Sequence, residues 1–274
     1  MLRRAPGSLE GSVRRYNRAM PHVISVANQK GGVGKTTTSI NLAAALAGLG
    51  KRVLMIDLDP QANATAGLGV ESRSGSSIYN VLMDGVPLAE VLCDTAIPGL
   101  QVAPSHIDLS AAELELVSAL AREYALRRAL DKADLAHDYV IIDCPPSLGL
   151  LTLNSLVASN HVVIPVQCEF YALAGLAKLT DTIGRIRNAL NQQLDVAGAL
   201  LTMYDARTNL SRDVVDEVRN NFPGNVFESI VPRSVRLAEA PSHGMPITEH
   251  DPDGSGARAY VAAARELIGR MEGN

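Results

Sequence analysis

The chain has only three cysteines, Cys93, Cys144 and Cys168, in 274 residues, and no two of them stand at C-x-x-C or other metal-ligand spacing. A disulfide framework and a cysteine-held metal are therefore not expected. Cys144 and Cys168 adjoin apolar runs and read as buried thiols suited to a reducing compartment. Long hydrophobic runs are missing as well. No stretch of 18 apolar residues is present, as a membrane-spanning helix requires, and the N-terminus lacks the apolar middle section of a secretion signal. The expectation is a soluble, intracellular protein with no membrane partner. Positive charge is not in excess: 25 lysines and arginines face 29 aspartates and glutamates, for a net charge of −4. With no global basic field, any binding to nucleic acid must use a local patch. Internal repeats and low-complexity tracts are also lacking, and the serine- and glycine-rich stretch Glu71–Ser77 reads as a surface loop.

What is present, a 47% hydrophobic composition, is enough for one substantial core, so residues 21–274 are expected to form a single domain. Met1–Met20 differs from the rest. Arg3, Arg4, Arg14, Arg15 and Arg18 stand there against Glu10 alone, with Gly7, Ser8, Gly11 and Ser12 between them. This composition predicts a disordered basic arm, either touching DNA or a partner or simply solvated, with no catalytic role.

The most informative stretch is Lys30-Gly31-Gly32-Val33-Gly34-Lys35-Thr36-Thr37, between the apolar run His22–Val26 and a helical pattern beginning near Lys35. A strand delivering the chain to glycines, followed at once by a helix, makes a phosphate-binding loop: backbone N–H groups curl around an anion and the helix dipole points its positive end at the same place. Lys35 is then expected on the β- and γ-phosphates and the Thr36 hydroxyl on a magnesium ion. The pattern G-x-x-x-x-G-K-[ST] is not fully met, because Gln29 occupies its first glycine position and a second lysine, Lys30, follows it.

Beyond the loop, Ile40, Leu42, Ala43, Ala44, Leu46, Ala47 and Leu49 make a small apolar helix that Gly50 is placed to end. Arg52–Asp57 lacks polar alternation, as expected of a parallel strand covered on both faces. Further strands are predicted near Leu100–Ala103, Tyr139–Asp143, His161–Val166 and Ala197–Tyr204, with a weaker one at Val226–Ile230. The clearest later helix is predicted over Ala111–Leu130, where Leu114, Val117, Ala121, Tyr124 and Ala125 recur at helical spacing. Strands alternating with helices predict an α/β fold, a doubly wound and mostly parallel sheet with helices on both faces. Ligands on such sheets bind at the carboxyl ends of the strands, which is where the loop lies.

Two carboxylate sites fall at the same ends. Asp57 and Asp59 close the second strand, and Asp143 closes the strand Tyr139–Asp143. Strand-end aspartates also serve as caps and turn formers. Three of them beside a phosphate loop point instead to nucleotide hydrolysis, one anchoring the magnesium shell and another orienting the attacking water.

Longer matches now identify a family. Ala27-Asn28-Gln29 precedes the loop; Asp57-Leu58-Asp59-Pro60-Gln61-Ala62-Asn63-Ala64-Thr65, Ser105-His106-Ile107-Asp108-Leu109, Asp143-Cys144-Pro145-Pro146-Ser147-Leu148 and Val231–Gly244 follow. From Pro21 nearly to the C-terminus the chain resembles the ParA/Soj-type chromosome- or plasmid-partitioning ATPases, within the MinD-like group of P-loop NTPases of the deviant Walker A type. The resemblance implies ATP and Mg2+ as cofactors and an ATP-dependent homodimer. Gly31 would lie at its interface, with Lys30 reaching the partner's nucleotide; Gly32, Val33, Gly34, Lys35, Thr36 and Thr37 would hold the phosphates. Thr36, Asp57 and Asp143 would serve the metal, Asp59 the hydrolytic water, and Pro232 and Ser234 the adenine, Ser234 standing where many members carry asparagine. It implies too that Arg207 and Arg236, with Arg233 and Arg219 as neighbours, bind nonspecific double-stranded DNA, and that a ParB/Spo0J-type centromere-binding protein stimulates hydrolysis. The location implied is cytoplasmic and nucleoid-associated.

Other readings share the loop. A MinD-like membrane ATPase needs a C-terminal amphipathic helix with large apolar residues opposite lysines. The tail Ala257–Met271, with Tyr260, Val261, Leu267, Ile268 and Met271 among many alanines, better suits a helix packed on the domain. A small-molecule ligase resembling dethiobiotin synthetase is disfavoured by the Val231–Gly244 motif. An iron–sulfur reductase would need bridging cysteines that the three here do not match.

Overall fold

The computed structural model describes residues 20–170 and 172–273, so the basic arm expected over residues 1–20 lies, Met20 excepted, outside the described residues. Seven strands form one sheet: β1 His22–Val26, β2 Val53–Asp57, β3 Cys93–Asp94, β4 Leu100–Ala103, β5 Tyr139–Asp143, β6 His161–Gln167 and β7 Asp195–Thr202. Their order is β3-β4-β2-β5-β1-β6-β7, and every pairing is parallel except the short edge strand β3, which runs antiparallel to β4. That two-residue edge strand gives no periodic signal in the sequence.

The longer helices are α1 Lys35–Gly48, α2 Leu109–Glu115, α3 Ala125–Lys132, α4 Leu150–Ala158, α5 Ala172–Ala189, α6 Asn209–Asn221 and α7 Ser255–Glu272. Alternation along the strands assigns their side chains to two faces. Ile24, Val53, Met55, Tyr139 and Ile141 join the core beneath α1 and α7, while Val23, Leu54, Ile56, Val140 and Ile142 join the core on the opposite face. Because both faces are covered, a strand such as Val53–Asp57 is buried at every residue, which is why its sequence shows no polar alternation. A third cluster, around Ile164, Leu179, Leu201 and Val218, closes the β6–β7 side under α5 and α6.

The helix α1 packs closely on the sheet because it presents Ala43, Ala44, Ala45 and Ala47, all buried, alongside Leu42 and Leu46. It ends as expected, with Gly50 taking a left-handed backbone (φ 83°). The C-terminal helix α7 packs against α1 and buries Ala257, Tyr260, Ala263, Ala264 and Leu267. Its apolar side is thus used within the domain, which removes the membrane-anchoring face that the MinD-like alternative needs. No described helix is long and apolar enough to cross a membrane.

Two expectations are corrected. The single helix predicted over Ala111–Leu130 is broken: α2 stops at Glu115, 3-10 turns cover Leu116–Ser118 and Arg122–Tyr124, and α3 begins at Ala125. The break centres on Ala121, which adopts a left-handed backbone (φ 50°). Only the second half of the apolar pattern then faces inward. Ala125 is buried, whereas Leu114 and Val117 are 79% and 56% exposed. Val226–Ile230 is likewise not a strand but an extended segment held to β7 by one bridge, Ala199 to Val226. Cys144 and Cys168 are buried free thiols, as expected.

Arg270 of α7 adds to the backbone bonds made there, Ala199 N–H to the Asn225 carbonyl (2.8 Å) and Phe227 N–H to the Ala199 carbonyl (2.9 Å). Its guanidinium donates to the carbonyls of Ala197 (2.6 Å) and Val226 (2.9 Å) and lies over the Phe227 ring, 4.2 Å from the centroid. Gly198 lacks the Cβ that would collide with it. Arg270→Ala leaves two carbonyls without their donor and removes the cation–π contact, an expected loss of about 2–4 kcal/mol. Urea unfolding checks it; a midpoint equal to that of the unaltered chain contradicts the role.

Candidate functional site

Strand register assembles the site. Asp57 of β2 and Val26 of β1 are both direct partners of Asp143 on β5, so three neighbouring strands end level with one another. The loop leaving β1 therefore emerges beside two buried carboxyl groups. Its last glycine, Gly34, caps α1 with a left-handed backbone (φ 89°) that only glycine adopts without strain, and neither a capping side chain nor an acidic residue occupies the first turn. The N–H groups there are the unpaired donors of a helix start, aimed where an anion would sit. Thr202 at the end of β7 donates its hydroxyl to the Val33 carbonyl at 2.9 Å, tying the loop to the sheet.

The Lys35 side chain folds back into this loop and donates to the Lys30 carbonyl at 3.1 Å. Burial lowers its pKa, opposed by the nearby Asp143, Cys144 and Asp59. Asp57 accepts from the Asp59 N–H through Oδ1 (3.1 Å), and from the Thr65 N–H (2.8 Å) and hydroxyl (2.7 Å) through Oδ2. Asp143 receives the Ser39 hydroxyl on Oδ1 at 2.8 Å, with Thr36 beside it. Its Oδ2 is buried with no hydrogen-bond partner among the described residues. Desolvation, then the mutual proximity of the two carboxyls, pushes Asp143 up to about 8; desolvation raises Asp57 to about 6, against the Thr65 hydrogen bonds. Asp59 is nearly buried, and its Oδ1 accepts from the Gln61 N–H at 3.0 Å.

Next to the loop opens a largely apolar cavity of about 200 Å3, lined in part by Gly34, Thr37, Met203, Pro232, Ser234 and Tyr260. Its apolar lining suits a nucleotide base. The segment that carries Pro232 and Ser234 is fixed to β7 by the Val231 N–H to Leu201 carbonyl bond (2.9 Å), and to the residues just past β7 by the Tyr204 N–H to Val231 carbonyl bond (3.1 Å) and the Arg233 N–H to Tyr204 carbonyl bond (2.9 Å). All the residues expected at phosphate, metal and base thus converge along one edge of the sheet.

The four candidate arginines are more dispersed. Arg207 is highly exposed and held by two bonds to Asp205 (2.8 and 2.7 Å), which keeps the Asp205 carboxyl down at about 2. Arg233 lines the base cavity and also acts on Asp205, so Arg207 and Arg233 share a neighbourhood. Arg236 is exposed on the short helix Val235–Glu239 and pairs with Glu239 at 3.3 Å. Arg219, at the end of α6, contacts Glu228, and no described contact links it to the other three. Several site residues escape sequence reasoning: Ser39, Thr65, Thr202, Met203 and Tyr260.

With this geometry in view, comparison with known proteins decides the family. The AAA domain family model matches residues 21–196. The chain is 51% identical over 249 residues to the sporulation initiation inhibitor protein Soj of Bacillus subtilis, covering 90% of this chain and 98% of that one. It is also 51% identical over 249 residues to the chromosome partitioning protein ParA of Myxococcus xanthus, covering 90% and 88%. The chain belongs to the Soj/ParA family of partitioning ATPases. Among solved structures, cobyrinic acid a,c-diamide synthase of Mycobacterium smegmatis, with bound ADP and magnesium, is 40% identical at a TM-score of 0.81, covering 92% of this chain and 96% of that one. Pyrococcus horikoshii MinD with Mg-ADP shares the fold at 23% identity and a TM-score of 0.74.

The residues of this Soj/ParA chain fit a magnesium-bound nucleotide. Asp143 presents an unpartnered buried oxygen beside the Thr36 hydroxyl, and oxygen ligands of this kind are what magnesium takes. A divalent cation would stabilise the ionised carboxyls that burial now disfavours. Without it they hold protons in the folded state that the unfolded chain releases near the ordinary value of 3.8. The contribution of these two groups to the stability of the ligand-free chain is therefore fullest below about pH 4 and is lost as pH rises through the folded values of about 6 and about 8. Asp143→Asn should flatten this decline and raise the ligand-free melting temperature at pH 8, by about 2–4 °C per kcal/mol relieved. It should also lose the extra stabilisation by magnesium-ATP. Differential scanning fluorimetry across pH, with and without magnesium-ATP, tests both; a variant still stabilised as strongly as the unaltered chain contradicts the metal role.

Proposed function

We propose that the chain is a nucleotide-timed DNA-segregation ATPase. Two chains join face to face around ATP and magnesium, the pair binds double-stranded DNA without sequence preference, and hydrolysis separates it. The observation carrying this reading is the convergence at one end of the sheet of the phosphate loop, three strand-end aspartates and an apolar cavity, in a chain half identical to a protein named for chromosome partitioning.

In this mechanism Lys35 and the N–H groups of residues 31–37 hold the phosphates. Thr36, Asp57 and Asp143 would hold magnesium, directly or through water, and the bound ion would supply charge neutralisation for phosphoryl transfer. Asp59 orients the attacking water, Pro232 and Ser234 flank the adenine, and Lys30 crosses to the partner chain's nucleotide. Arg207 and Arg236 of each chain contact the DNA backbone, with Arg233 and Arg219 as auxiliary positions. Doubling the phosphate contacts in a dimer steepens the salt dependence of binding, so nucleotide-driven pairing can switch DNA affinity on. A ParB/Spo0J-type protein stimulates hydrolysis beside the cargo, and the ATP-bound form resides on the nucleoid.

Retention on DNA with ATP, ADP and no nucleotide tests the proposal, and absence of ATP-dependent retention sinks it. Arg207→Ala and Arg236→Ala should weaken binding to all sequences alike while sparing ATP binding. Because each change acts twice in a dimer, the slope of log affinity against log salt should fall in magnitude by about 2. Equal slopes in salt titrations would remove that arginine from the DNA surface. Asp59→Ala should bind ATP and remain dimeric with hydrolysis lost; turnover at the unaltered rate in a phosphate-release assay contradicts its assignment.

A further inference from the structure

Three donors converge on the Glu169 carboxylate. Lys30 Nζ lies 3.2 Å from Oε2, Gln167 Nε2 donates to Oε1, and an Arg233 guanidinium nitrogen stands 4.0 Å from Oε1. The carboxylate is held in place by a tight turn after β6, in which the Glu169 N–H donates to the Gln167 carbonyl at 2.8 Å and its own carbonyl accepts from Ala172 at 3.2 Å. Lys30 is braced from the other side, its N–H donating to Asn28 Oδ1 at 3.0 Å, while Asn28 Nδ2 binds the Pro165 carbonyl of β6 at 2.7 Å. Both ends of the Lys30–Glu169 pair are therefore anchored to one strand. The Lys30 ammonium is directed back onto its own chain.

We infer that Glu169 is a positioning residue that holds Lys30 on its own chain and so sets the threshold for ATP-dependent pairing. This rests on the cross-interface role of Lys30 given above. To reach a phosphate of the partner chain, the ammonium must leave a carboxylate of charge −1, and it does so more readily the more negative the group it meets. A triphosphate outcompetes Glu169 better than a diphosphate, so the pair sharpens discrimination between the two nucleotides. Arg233, which lines the base cavity, faces the same carboxylate. When Lys30 departs, Glu169 keeps Arg233 and Gln167 as partners and is not left uncompensated.

The pair is more than half exposed at Lys30 and 43% exposed at Glu169, and such pairs shift an equilibrium only modestly. Two are broken per dimer, so Glu169→Gln, which keeps the shape and removes the charge, should lower the chain concentration needed for dimerisation by about 2- to 25-fold. Sedimentation equilibrium with magnesium and a non-hydrolysable ATP analogue reads this directly. Binding of a fluorescent ATP analogue to the dilute monomer should be unchanged. The advantage of Glu169→Gln should shrink as salt rises and the Debye length falls from roughly 10 Å at 0.1 M to roughly 3 Å at 1 M. It should vanish in a Lys30→Ala background, an outcome that a merely structural role for Glu169 does not produce. Dimerisation of Glu169→Gln at or above the unaltered concentration, or an equal effect with and without Lys30, overturns the inference. If Lys30→Ala alone dimerises normally, the cross-interface role fails and the inference falls with it; impaired Lys30→Ala with unaffected Glu169→Gln removes only the latter.

Discussion

The constraint on which the rest depends is the register that sets Asp57 opposite Asp143 at the ends of two adjacent buried strands. Parallel pairing fixes the level at which each strand ends, and complete burial removes the water that would otherwise solvate the two carboxyls. The protein tolerates this because the Asp59 N–H, Thr65 and Ser39 together satisfy three of the four carboxyl oxygens, leaving Asp143 Oδ2 as the unmet one. A scaffold selected for stability alone would place apolar residues here. The cost makes sense for a site completed by a cation, and it makes ligand-free and ligand-bound forms differ electrostatically even if the backbone hardly moves.

Around that pair the other parts fall into place by connection length. The loop after β1 emerges next to Asp143, α1 starts where the loop ends, and β7 supplies Thr202 to hold the loop down. The segment after β7 folds back along it to carry Pro232 and Ser234 over the same edge, clamped behind by Arg270. Phosphate, metal and base positions therefore come from distant parts of the sequence yet share one rigid support, the ends of β1, β2, β5 and β7. The exposed arginines have no such support: Arg207 and Arg236 each lean on a nearby carboxylate, Asp205 and Glu239.

Most of the sheet was legible because buried parallel strands leave uninterrupted apolar runs, and the phosphate loop because its glycines and lysine sit between one such run and a helical pattern. The carboxylates were legible for the same reason, each closing a run. What failed was local and had local causes. An alanine in a left-handed conformation at Ala121 leaves no mark in a hydrophobic pattern, so one helix was read where two helices and two turns exist. At Val226–Ile230 the apolar composition of a strand is present, but the segment meets β7 at one isolated bridge and is otherwise held by Glu266 and Arg270 of the C-terminal helix. Hydrogen-bond partners such as Ser39 and Thr65 depend on three-dimensional approach and carry no spacing signature.

The interruption between α2 and α3 has a mechanical consequence. Across Leu116–Tyr124 the described backbone-to-backbone bonds outside the helices are short-range, Ala119 to Leu116 and Tyr124 to Ala121, fewer than a continuous helix would make, and the far end of the stretch is tied to α4 where Asn154 Nδ2 donates to the Arg122 carbonyl at 2.9 Å. On its near side Glu113 presses against Gly149, at the start of α4 and six residues past Asp143. On its far side the Tyr124 hydroxyl reaches the Leu190 carbonyl at 3.2 Å, beyond the end of α5. The joint thus lies between an element that touches the start of α4, behind the metal carboxylate, and α3, whose Leu126 N–H donates to Asn154 Oδ1 further along that same helix at 3.1 Å. Displacement of that first element can be absorbed within a few residues, and the strain need not spread through the core.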